Sequence, residues 1–159
     1  MDPSALIALA RHGEAIATAR AFQQRSGAQR VVLLLDRGDA EPAMIDCDAS
    51  RHATEITDGE TVAVIPEAAA VPVSAKPLPD IRAMPASAMT IDLDTGELAA
   101  PLGTVEHLAQ SVLALARAFG GLTVATAEFS TSDPDLPITL AAREGEPVVL
   151  GAGDAQYEL

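Results

Sequence analysis

Three landmarks occur twice in this chain, in the same order, and they constrain its architecture more than any composition figure does. The tetrapeptide Ala-Arg-Ala-Phe stands at 19–22 and again at 116–119, each time shortly before a glycine. An apolar run of strand length follows each copy, "RVVLLLD" after the first and "TVATAEF" after the second. Next comes an acidic turn carrying proline ("RGDAEPAMIDCD" and "STSDPDLPITLAA"), then an acid-Gly-Glu turn leading into valines ("TDGETVAVI" and "REGEPVVLG"). In an alanine-rich chain one such match is coincidence. Three in the same order point to one unit used twice, each reading as helix, strand, turn, strand, turn, strand.

Each unit opens on a helix. Asp2 and Pro3 suit a helix start, since proline in the first turn has no N–H to leave unsatisfied. Leu6, Leu9, Ile16 and Ala19 recur near helical spacing, and Gly27 provides the left-handed stop. In the second unit Thr104 is the expected cap, with Glu106 near the positive end of the dipole. Leu108, Val112, Leu115 and Phe119 share one face before Gly120 and Gly121.

The expected fold is therefore α+β within one domain, 1–159. Duplicated helix-strand-strand-strand units, 4–66 and 104–159, would form one mostly antiparallel sheet with both helices on one face and a pseudo-twofold axis. Residues 67–103 join them through a proline-rich stretch (Pro72, Pro77, Pro79, Pro85) and a short hairpin turning at Asp94-Thr95-Gly96. Because "VVLLL" is apolar at every position, its strand is expected to be central and covered on both sides. The face opposite the helices must then be covered by the linker or by another chain.

Composition excludes several functions. The formal charge is −13 and Lys76 is the only lysine, so phosphate backbones and anionic membranes are repelled and nucleic acid is not an expected partner. Aromatic residues make up 3% and tryptophan is absent, which leaves no platform for base stacking. No apolar run approaches membrane-spanning length and no basic leader precedes an apolar core, so a soluble, cytoplasmic protein is expected. Cys47 has no partner for an internal disulfide, and its neighbours Asp46 and Asp48 disfavour a thiolate.

Motifs for chemistry are incomplete. "DLDTGE" places Gly96 fifth where a calcium loop needs it sixth, and "GAGDAQ" lacks the third glycine of a dinucleotide loop. His12 and His107 lie within expected helices with no second histidine one turn away, and read as helix-surface or boundary residues. One carboxylate group remains. Asp36 and Asp39 fall in the first acidic turn, Asp46 and Asp48 alternate along the next strand, and His52 follows. Period-two geometry puts Met44, Asp46 and Asp48 on one face, with Ala43, Ile45 and Cys47 on the other. Hairpin pairing would bring Asp36 toward Asp46 or Asp48, where such a group could hold a divalent cation or raise one carboxyl pKa.

The expected function is a non-enzymatic protein-interaction module that docks a protein partner or self-associates through its sheet as a homodimer. The alternative is a small-molecule or divalent-metal binder, or an enzyme, using Asp36, Asp39, Asp46, Asp48 and His52. No catalytic residue, metal site or cofactor is assigned.

Overall fold

The structure is a computed structural model. It describes residues 2–38, 40–81, 83, 89–92, 94–95, 97–100, 103–120 and 123–159, with only the backbone of Ile91. Helix α1 spans Pro3–Ser26. Asp2 caps it by accepting from Ser4 N at 2.9 Å, and Gly27 ends it at φ 73°, a backbone shape that costs glycine little. The helix is broken at His12, whose φ of −125° is not helical. Gly13 follows, and a Cβ there would meet Val73 at 3.2 Å, so the missing side chain lets the linker pack against the helix at its break. Helix α2, Thr104–Arg117, is shorter. Its N-cap is Gly103 at φ 82°, one position earlier than expected, and Thr104 is already helical and buried.

Four strands follow each helix, where three were expected. After α1 come β1 (Arg30–Arg37), β2 (Ala40–Asp48), β3 (Ala53–Asp58) and β4 (Thr61–Pro66). The linker holds two-residue strands β5 (Thr90–Ile91) and β6 (Leu98–Ala99), paired as the expected short hairpin with Asp94 and Thr95 in its turn. Gly96, like Pro85 and Gly121, lies outside the described residues. After α2 come β7 (Val124–Phe129), β8 (Ile138–Ala142), β9 (Val149–Ala152) and β10 (Ala155–Glu158). The strands missed were β3 and β10. The Asp58-Gly59 and Gly153-Asp154 turns each close a hairpin whose other arm has little apolar alternation to announce it.

One eight-stranded antiparallel sheet results, in the order β10-β9-β8-β7-β1-β2-β3-β4. Consecutive hairpins run outward on either side, and β1 pairs with β7 at the centre, where Val32 faces Thr126. Leu33 lies beside Ile45, Ile45 beside Ile56 and Ile56 beside Ala63. In the other half Ala127 lies beside Leu140, Leu140 beside Leu150 and Leu150 beside Tyr157.

Both helices pack on one face, α1 over β1, β2 and β4, and α2 over β7 and β8. Ile16, Phe22, Leu108 and Leu115 meet Val31, Leu33, Ile45, Ile138 and Leu140 in one core, all fully buried. Fully burying a side chain of this size contributes about 1.5–3 kcal/mol. The linker lies on the same side as the helices. Arg20 Nη1 donates to Ala69 O at 3.0 Å, Lys76 N donates to Thr18 Oγ1 at 2.9 Å, and Met89 is buried in the core. Lys76 also ties α1 to the turn after α2, its ammonium 3.1 Å from Glu14 and 5.5 Å from the Phe119 ring centre.

The second face of β1 is thus not covered in the way its apolar sequence suggested. Val32 stays half-buried and Leu34 exposed, because the linker crosses the helices instead.

Candidate functional site

The sheet face opposite the helices presents three cross-strand rows. One is largely apolar: Val62, Thr57, Met44, Leu34 and Val124. The next runs Val64, Glu55, Asp46, Val32, Thr126, Ala141 and Val149. Arg30 heads the polar third, with Asp48 on one side and Glu128 and Thr139 on the other. Val62 and Val64 are 54% and 52% exposed, whereas Ala63 and Ile65 on the helix side are 5% and 0%. Side chains toward β9 are small. Gly151 approaches Thr139 so closely that a Cβ would meet its Oγ1 at 2.7 Å.

Among the described residues, the anticipated carboxylates do not form one group. Asp46 is buried and holds Arg30 with both oxygens, at 2.9 and 2.6 Å, a bidentate pair. This hydrogen-bonded carboxylate keeps the Arg30 guanidinium above its already high ordinary pKa, against partial desolvation. Asp48 lies on the same face opposite Arg30 and caps the short turn after β2, accepting from Ser50 N and Oγ at 2.9 and 2.7 Å. Partial burial works to raise its pKa, but those hydrogen bonds and nearby Arg51 and Arg30 outweigh it, and the carboxyl titrates below its ordinary value.

Asp36 sits at the other end of the hairpin and closes the turn by accepting from Gly38 N at 2.9 Å. Val32 is the partner of Asp46, so Asp36 lies four strand residues away, about 13 Å. Pairing therefore separates the two residues that the hairpin was expected to bring together. His52 is left-handed at φ 52°, with an 80% exposed side chain whose Nδ1 lies 3.1 Å from Glu67. Asp39 lies outside the described residues. Among the described residues, no group of three or more His, Cys, Asp or Glu side chains is placed to hold a metal ion. Asp92 serves its own turn, accepting from the backbone of Asp94 and Thr95. Cys47 faces the helices, where burial raises its thiol pKa, and its Sγ donates to Gln23 Oε1 at 3.1 Å.

A second polar group escaped the sequence reading. Asp58, at the end of β3, accepts from His12 Nε2 at 2.9 Å and from Arg37, and Arg11 lies 3.8 Å away. His12, read as a helix-surface or boundary residue, lies at the boundary, with its side chain 11% exposed. His12 first, then Arg37, hold the Asp58 carboxyl below the usual carboxylate range despite some desolvation. The group forms the polar wall of a cleft of about 200 Å³ between the first turns of α1 and the β3–β4 hairpin. A histidine beside a glycine in a helix was the available signal, because a break at that point turns the ring toward the sheet.

In comparisons with protein-family profiles, curated proteins and solved structures, none matches this chain.

Proposed function

We propose that the chain is a non-enzymatic interaction module working through the open face of its sheet, with a second copy of itself as the partner. The carrying observation is the asymmetry of coverage: helices and linker share one face, and Leu34, Val62 and Val64 stand exposed on the other. An apolar sheet face of this kind suits a facing sheet about 10 Å away. The one neutral row suits self-pairing in an acidic chain, since the stretch from Val62 to Val124 brings no like charges together, and the charged side chains lie in the two rows beside it.

Analytical ultracentrifugation tests it. A dimer should form at micromolar concentration and revert to monomer when Leu34 and Val64 both become Lys, with unchanged circular dichroism. A wild-type chain still monomeric at about 100 μM, where even a weak dimer is populated, would end the self-association reading.

We further infer that the two halves are copies of one helix-plus-meander unit related by a pseudo-twofold axis through Val32 and Thr126. In support, the row Leu33, Ile45, Ile56, Ala63 corresponds position by position to Ala127, Leu140, Leu150, Tyr157. The order of strands reads the same outward from the central pair, although the acid-Gly-Glu turns do not correspond, one lying between β3 and β4 and the other between β8 and β9. On this reading β1 and β7 stand where two ancestral subunits would have joined.

The carboxylate alternative has less support. Asp46 and Asp48 already surround Arg30, while Asp36 and His52 lie elsewhere.

A further inference from the structure

The cleft beneath the first turns of α1 is independent of the open sheet face, and its walls divide by chemistry. Its apolar side is made by Ala8, Ile56 and Ala63, all buried, together with Ile7, which is 52% exposed at the mouth. Ser4, Arg11 and Thr61 supply the polar rim, and His12 and Asp58 close one end.

The electrostatics of that end decide the sign of a ligand. Asp58 is the one acid among the described lining residues, and both of its oxygens are engaged, one by Arg37 and the other by His12. Arg11 approaches the same carboxylate only to 3.8 Å, beyond hydrogen-bond distance, and its side chain is 68% exposed. Three cationic or potentially cationic groups thus surround a single acid, in a chain whose formal charge is −13. The spare donor capacity lies with Arg11 and the hydroxyls of Ser4 and Thr61. A cation entering here would meet Arg11 and find Asp58 already satisfied. An anion would complete the guanidinium.

Volume sets the size. At roughly 30 Å³ for each water-sized group, 200 Å³ admits about six or seven heavy atoms. From these walls, we propose that the cleft binds a short aliphatic monocarboxylate, of the size of butanoate or pentanoate. Its carboxylate lies at Arg11 with the hydroxyls of Ser4 and Thr61, and its hydrocarbon lies on Ala8, Ile56 and Ala63. The site belongs to the first half alone: counted from the shared Ala-Arg-Ala-Phe, α2 has Leu108 and Ala109 where α1 has Arg11 and His12.

Solution NMR of the full chain tests this, with butanoate, butan-1-ol and butylammonium titrated separately. Butanoate should give saturable shifts in the Ala8 and Ala63 methyl signals and in Arg11 Nε–Hε, with half-saturation in the low-millimolar range or below. Arg11→Gln should weaken it about tenfold, the scale of one lost charge-assisted hydrogen bond, while other signals hold their wild-type positions. Thr61→Val gives a second reading in case Arg11→Gln perturbs the helix, and it should weaken butanoate and spare butan-1-ol. Equal binding of butanoate and butan-1-ol would overturn the carboxylate assignment. Preference for butylammonium would make Asp58 the recognising group and overturn it too, as would the absence of saturable shifts.

Discussion

The two halves of this sheet differ more in their helices and charges than in their strands. The first carries a 24-residue helix broken at His12, a buried Asp46–Arg30 pair and the Asp58 group. The second carries a 14-residue helix with one clean apolar face, over strands built largely of Ala, Thr, Val and Leu. Strand pairing is set by backbone hydrogen bonds and a period-two apolar row, and tolerates wide change elsewhere. Polar side chains such as Arg11 and His12 on a helix add a wall to a cleft without disturbing the row beneath. One half can therefore bear a site while the other preserves the frame.

The largest test of that contrast is a pair of phenylalanines. Phe22 is fully buried under α1, so Phe22→Ala should cost about 3–5 kcal/mol in urea unfolding. Phe119 lies beyond the end of α2 and is only partly buried, and its truncation should cost about 1 kcal/mol. Equal losses would remove the difference between the helices. Corresponding strand positions should behave alike instead. Ile45→Ala and Leu140→Ala are each expected to cost about 3 kcal/mol, and a gap wider than about 1.5 kcal/mol would count against the shared frame.

Charges come next. Arg30→Met strands the buried Asp46 carboxylate and should cost about 2 kcal/mol, below the value for a fully buried pair because Arg30 is 44% exposed. The companion change Asp46→Asn should recover part of that loss, which a double-mutant cycle reads directly. Asp58→Asn is the smallest, about 1 kcal/mol near neutral pH. His12 and Arg37 lower the folded-state pKa of Asp58, so its contribution is complete above the ordinary carboxylate pKa. It is lost as pH falls through the lowered value. Urea unfolding between about pH 5 and pH 2 should therefore show a shallower acid loss in Asp58→Asn than in the wild type.

Much of the frame was legible in the sequence because apolar periodicity and glycine stops are local signals. Leu108, Val112 and Leu115 announced their buried face, and Gly27 announced the end of α1. "ATEITD" and "AQYE" were not legible as strands. The first has one large apolar residue and the second only Tyr157 at the sheet edge, so their neighbours in the sheet decide their conformation. The polar groups were harder still. Asp46 and Asp58 differ little in sequence from Asp36, yet one lies against Arg30, one against a broken helix and one in a turn of its own. Such partners are 16 and 46 residues away, and only the register and the helix break bring them close.

The central β1–β7 pair also sets the order in which the molecule can be made. On a ribosome all four strands of the first meander are available once β4 emerges, and in that meander alone β1 is an open edge, with Arg30 to Leu34 beside no neighbour on that side. Its partner β7 is synthesised roughly 90 residues after β1, some 5–20 s at the usual pace of elongation. During that interval the most apolar strand of the chain is a bare template for pairing with another nascent chain. Where the first meander folds before β7 is made, half of the sheet is finished while its middle is still an edge.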